Sequence, residues 1–136
     1  MHVQGRRQKN LVLILAREFA SQLATPMFVT DAHGNLVFFN EPAEIVLGRT
    51  FAETGEIPVE RLAELIRLEH PDGSPMELAE MPAGVALLDQ HEAHASLRLT
   101  GLDGVTRSLA VTAFPLFARE ELFLGVVMIC WEQPKE

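Results

Sequence analysis

Two apolar runs, PMFVT at 26–30 and LVFFN at 36–40, are separated by a short polar stretch, DAHGN at 31–35. The chain has to reverse direction inside that stretch. Gly34 can take a positive φ, and Asp31 and Asn35 can bond nearby backbone groups, so the spacing predicts a tight β-hairpin. A hairpin commits the chain to antiparallel pairing. The returning run adds a second constraint. LVFF does not alternate with polar residues, so that strand is expected to be covered on both faces. Whatever the fold, its sheet must have material packed on its front and on its back.

The back is most simply supplied by the segment that precedes the hairpin. Residues 10–24, NLVLILAREFASQLA, contain neither Gly nor Pro and read as a helix, with Asn10 able to cap its start. Leu15, Phe19 and Leu23 share one face. The first half, Leu11 to Leu15, is apolar all the way round and must be covered on more than one side. One cover is the chain's own sheet and the other a second copy of the chain. That makes Leu11, Val12, Ile14, Leu15, Phe19 and Leu23 the expected homodimer interface.

After the hairpin, Asn40 reads as an N-cap and Pro42 as a first-turn residue of a short helix, PAEIVL, that ends at Gly48. Residues 57–69, IPVERLAELIRLE, predict a second helix with Leu62, Leu65 and Ile66 inward. HPDGSP at 70–75 is a turn. Pro82 starts a third helix, AGVALLDQ, with Val85, Ala86 and Leu88 inward. From His94 the period changes to two: Leu97 and Leu99 alternate with Ser96, Arg98 and Thr100. Asp103-Gly104 signals a hairpin. Its partner strand places Leu109, Val111 and Ala113 on one face, and LFLGVVMICW is a last strand, apolar on both faces. The order predicts an α+β domain with a five-stranded antiparallel sheet.

Length and charge narrow the function classes. A chain of 136 residues suits one domain. The expected divisions are a flexible basic N-terminus over 1–9, the helix over 10–24, the main domain over 25–132 and a tail over 133–136. A formal net charge of −8 argues against direct nucleic-acid binding. Arg6, Arg7 and Lys9 are the exception, and three charges at a terminus read as solubility. The run LVLILA at 11–16 is too short to span a bilayer, which takes roughly 20 residues. No cleavage site follows it, so the chain is read as cytoplasmic. With one cysteine, Cys130, it has no internal disulfide.

At this point the chain resembles a PAS domain, a sensory module common in bacterial signalling. The resemblance is carried by Pro26 with FVTD, by Gly34, Leu36, Phe38 and Asn40, by PAE at 42–44 and by LG at 47–48. It is carried further by HPDGSPMELAEMP with ALL at 86–88, and by LDGVTRSLAVTAFPLF. It covers roughly residues 10–132. It implies a five-stranded antiparallel sheet with short helices over one face, an N-terminal helix on the other, and a ligand cavity between sheet and helices. By alternation Phe28, Thr30, Val37 and Phe39 would face that cavity, and Met27, Val29, Leu36 and Phe38 the N-terminal helix. Ala43, Leu47, Ile66, Val85 and Leu88 would close the far wall, with Leu97 and Val111 beneath. Thr30 and Arg49 would orient a polar end of the ligand.

Other chemistry is hard to find. A flavin-reactive PAS subfamily carries a cysteine in an NCRFLQ-like stretch after an Asn-rich helix start, and nothing here resembles it. Cys130 reads as a buried thiol. Haem-binding PAS domains use an axial histidine, for which His91, His94 and His70 are candidates, but DQHEAH is polar and reads as surface. No metal-ligand set, phosphate loop or catalytic pairing of a nucleophile with Asp31 or His33 is present, and the chain reads as a non-enzyme.

Three functions remain. The first is a sensor, in two-component signalling or transcription regulation, that binds a small, mostly apolar ligand and dimerises through its N-terminal helix. The second is a ligand-free docking module, and the third a haem-based gas sensor. The downstream signalling partner is not legible. No output segment follows residue 132, so either the sequence is a piece of a larger sensor or signal leaves through the N-terminal helix.

Overall fold

The structure is a computed structural model that describes residues 12–17, 19, 23–119 and 121–133. The expected basic segment 1–9, the cap Asn10, the interface residue Leu11 and tail residues 134–136 lie outside the described residues.

The strands are β1 (Met27–Asp31), β2 (Leu36–Phe39), β3 (Arg67–Glu69), β4 (Ala93–Thr100), β5 (Thr106–Phe117) and β6 (Phe123–Glu132). They form one sheet in the order β2-β1-β6-β5-β4-β3. Every neighbouring pair is antiparallel. The helices α1 (Glu41–Leu47), α2 (Phe51–Thr54), α3 (Val59–Leu65) and α4 (Pro82–Asp89), with a 3-10 turn at Leu78–Glu80, lie between β2 and β4 in sequence.

The hairpin closes as its residues require. The Asp31 carboxylate accepts from the His33 and Asn35 amides at 2.9 and 3.0 Å, and Gly34, at φ 88°, donates to the Asp31 carbonyl at 3.1 Å. The Asn35 side chain then accepts from the Val59 amide at 3.0 Å, which fixes the start of α3 to the turn. Asn40 caps α1 by accepting from Ala43 N at 3.1 Å. It also accepts from Met27 N at 3.0 Å and donates to the Thr25 carbonyl at 2.9 Å, so one side chain that is 2 % exposed ties the helix start to β1.

The sheet has six strands rather than five. The extra one comes from the helix expected over 57–69, which spans only Val59–Leu65. Ile66 is already extended, and Arg67–Glu69 pairs with β4 as an edge strand. Leu68 is buried there while Arg67 is exposed, a period of two that overrides the helical pattern. The helix α2 was not anticipated. Thr50 caps it reciprocally with Glu53.

Each face of the sheet carries its own cluster. On the front, Phe28, Leu36, Phe39, Leu97, Leu109, Val111, Val126 and Met128 pack against Ala43, Val46, Leu47 and Ala86. On the back, Met27, Val29 and Val127 pack with Val37, Phe38, Phe114, Leu116 and Ile129, and Leu13 and Leu23 join them from the N-terminal segment. Residues 12–17 are helical. The β1–β6 pair is close: a Cβ at Gly125 would collide with the Thr30 carbonyl oxygen, so only glycine fits.

Candidate functional site

Between the front of the sheet and the helices lies a cavity of about 80 Å³. β1 contributes Phe28 and Thr30, the turn Gly34, and β2 Leu36. Leu99 and Met128 form the rest of the floor. Leu47, Val59, Leu62, Ile66, Leu78, Met81, Ala83, Gly84 and Leu87 close the helical side. The wall is almost entirely apolar. Its one side-chain oxygen, Thr30 Oγ1, donates to the Asp31 carbonyl at 2.9 Å and accepts from Val126 N at 3.2 Å.

Of the expected pocket residues, Phe28, Thr30, Leu47 and Ile66 lie in this wall. Phe39, Ala43, Leu97 and Val111 are buried in the front core behind it. The others are elsewhere. Val37 belongs to the back cluster and Leu36 takes the place on the cavity side. The cause is an irregularity in the hairpin: Val29 pairs with Phe38 but Thr30 pairs with Leu36, so Val37 is an extra residue. Val37 and Phe38 then both pack at the back, while Leu36 and Phe39 both point to the front, a bulge that breaks simple alternation.

Leu88 is 68 % exposed, and Val85 is half-buried outside the wall. The inward stripe of α4 is set by Pro82, Ala83, Ala86 and Leu87, spaced three and four apart. Arg49 is exposed too, with its guanidinium 3.7 Å from Glu53. The α1 helix ends at Gly48, and Arg49 follows on the outside of the α1–α2 link. Hydrogen bonds from the Thr50 backbone and hydroxyl hold the Glu53 carboxyl below its usual range. Leu62 and Leu99 could have been placed by their periodicity. Leu78, Met81 and Gly84 carried no such signal, because they belong to a 3-10 turn and a helix start.

No titratable side chain lines this wall. His91 lies beside the Glu92 carbonyl at 2.8 Å, His94 bonds the Thr112 hydroxyl at 2.7 Å, and His70 sits 3.6 Å from Glu80. None of the three lines the cavity. Cys130 is fully buried in β6, and burial pushes its thiol up to about 12. No group of three or more metal-ligating side chains occurs among the described residues. No described helix is long and apolar enough to cross a membrane.

On the back, the Arg17 guanidinium sits 4.7 Å from the Phe38 ring centre and 5.3 Å from that of Phe51. It borders a groove of about 260 Å³ lined by Leu13, Ile14, Val29, Val37, Phe38 and Glu56. Of the expected interface residues, Ile14, Leu15 and Phe19 are each more than half exposed, whereas Val12 and Leu23 are partly buried.

No family model matches the chain, and no curated protein matches it. Solved structures do. A PAS domain of a protein from Colwellia psychrerythraea aligns at a TM-score of 0.63 with 16 % identity, covering 90 % of this chain and 97 % of that one. The PAS domain of nitrogen regulation protein NR(II) from Vibrio parahaemolyticus aligns at 0.60 with 16 % identity, over 88 % and 98 %. A Rhodobacter sphaeroides LOV protein aligns at 0.67 with 16 % identity, over 95 % of this chain and 69 % of that one. The chain has the PAS fold.

Proposed function

We propose that the protein is a sensory signalling module, without catalytic activity of its own, whose front cavity takes a small organic ligand. The observation that carries this is the apolar wall built jointly by β1, β2, α3 and α4, with Met81 and Met128 as adaptable members. A ligand there would touch β1 and β6, the same strands that hold the back cluster. The N-terminal helix packs on that cluster through Leu13, and its exposed Ile14, Leu15 and Phe19 would pair with a second copy. Ligand binding would then act as a population shift between pairings, limited by the ligand's differential affinity for them. It would work in signal transduction, in the bacterial cytoplasm.

One observation favours a second reading, a ligand-free docking module. About 80 Å³ is well below the roughly 300–1,000 Å³ of ordinary ligand sites. Native mass spectrometry of protein taken straight from cells separates the two. A reproducible small-molecule mass supports the sensor, and repeated apo spectra support docking. A haem sensor would need a ligand from this wall, which offers thioethers but no imidazole. A Soret band in haem-supplied cells would revive it.

A further inference from the structure

We propose that the cavity selects a compact, uncharged, hydrocarbon-like molecule with no hydrogen-bonding group, in the size range of a few heavy atoms. The proposal rests on the ligand-sensing reading and specifies its ligand class.

The polar groups on the hairpin side of the cavity and at the start of α3 are already committed. Thr30 Oγ1 uses its proton on the Asp31 carbonyl and a lone pair on Val126 N. Leu36 exchanges both backbone bonds with Ile57, at 2.8 and 2.9 Å. Val59 N is taken by the Asn35 side chain, and Gly34 N by the Asp31 carbonyl. A ligand hydroxyl, amide or carboxylate would therefore leave water and meet an almost wholly apolar surface, which is costly. Water is a poor competitor for the same reason, since it needs two to four polar partners and this wall presents almost no polar surface. An apolar molecule gives up little in solution and gains contact with Leu, Ile, Val and Met side chains.

Size points the same way. A cavity of about 150 Å³ lined by aliphatic side chains holds benzene or xenon. About 80 Å³ is half of that. Rotamer changes at Met81 and Met128 give some slack. A haem or flavin ring system would require the α3–α4 wall to move away from the sheet.

The test uses the full chain with carbon-13-labelled methionine methyls, read by NMR. Met81 and Met128 report the cavity, and Met27, in the back cluster, is the internal control. Xenon and cyclopropane are titrated against ethanol and acetamide, polar probes of similar size. The expected result is saturable shifts at Met81 and Met128 with the apolar pair, none at Met27, and at least tenfold weaker response to the polar pair. Ala83→Leu, which fills the cavity from α4, should abolish the shifts. Leu62→Phe does the same from α3 should the first variant fold poorly. If the polar probes move Met81 and Met128 as strongly as the apolar ones, the ligand class is wrong while the cavity remains a binding site. If neither pair moves them, both the ligand class and the ligand-sensing reading fall.

Discussion

Asn40 is the residue on which the front of the molecule is assembled. Its amide bonds the helix start at Ala43, the first strand at Met27 and the carbonyl of Thr25. Asn40→Ala removes a cap, about 1 kcal/mol, and leaves the buried Met27 amide without a partner, a further 1–3 kcal/mol or so. The expected loss in urea unfolding is therefore about 2–4 kcal/mol. Asn40→Asp keeps the acceptor and should cost less near neutral pH than Asn40→Ala. Cys130 makes a second residue-level expectation. Burial raises its thiol to about 12 in the folded chain, against an ordinary value of 9.0. Between those values the unfolded chain has lost the proton and the folded chain keeps it. The stabilising contribution is complete below pH 9 and disappears as pH rises through about 12. The native thiol should resist Ellman's reagent until the protein unfolds. The alkaline fall in stability should be shallower in Cys130→Ala than in the parent chain, as measured by denaturant midpoints across that range.

At the scale of elements, the β2 bulge decides which side chains meet the cavity. Leu36 is 3 % exposed in the front core, and Val37 lies partly buried at the back. Leu36→Ala should cost about 2–5 kcal/mol through the hole it leaves. Val37→Ala should cost clearly less, near the typical 1 kcal/mol of a point substitution. Equal losses in paired unfolding curves would mean that the strand alternates after all. The same element shows where sequence stops being informative. The hairpin, the Asn40 cap and the last three strands are local: DAHGN, Asn40 before Pro42 and the Asp103-Gly104 turn specify them by themselves. The bulge is not local: β2 pairs with β1 on one side, and Leu36 is also bridged to Ile57, well along the chain. In α4 the apolar positions 83, 85, 86, 87 and 88 outnumber those one helix face can bury, so packing chooses Ala83, Ala86 and Leu87 and leaves Leu88 in water. In 66–69 a helical and a strand pattern overlap. Pairing with β4 resolved it in favour of the strand.

Considered whole, the molecule has two surfaces served by one pair of strands. Phe28, Thr30 and Met128 face the cavity, and their immediate neighbours Met27, Val29 and Val127 hold the back cluster under the N-terminal helix. Close-packed strands do not deform continuously, so a small displacement on one face must be accommodated on the other. Removing residues 1–24 should uncover the back cluster and give monomers or aggregates, and a well-behaved dimer of the shortened chain would exclude the N-terminal helix as the pairing element. Coupling between the faces has a stricter test, because linkage is reciprocal. If cavity occupancy alters pairing through Ile14, Leu15 and Phe19, saturating cyclopropane must change the dimer dissociation constant. Dimerisation must change cyclopropane affinity by the same factor, about 5–150-fold for coupling of typical strength. Sedimentation velocity with and without the probe gives the first factor. Methionine-methyl titrations well above and well below the dimer constant give the second. In Leu15→Arg the dimer should be lost, and the affinity should settle at its monomer value independently of protein concentration. A dimer constant that ignores the probe would show that the two faces, although built on shared strands, are energetically independent, and that signal leaves by another route.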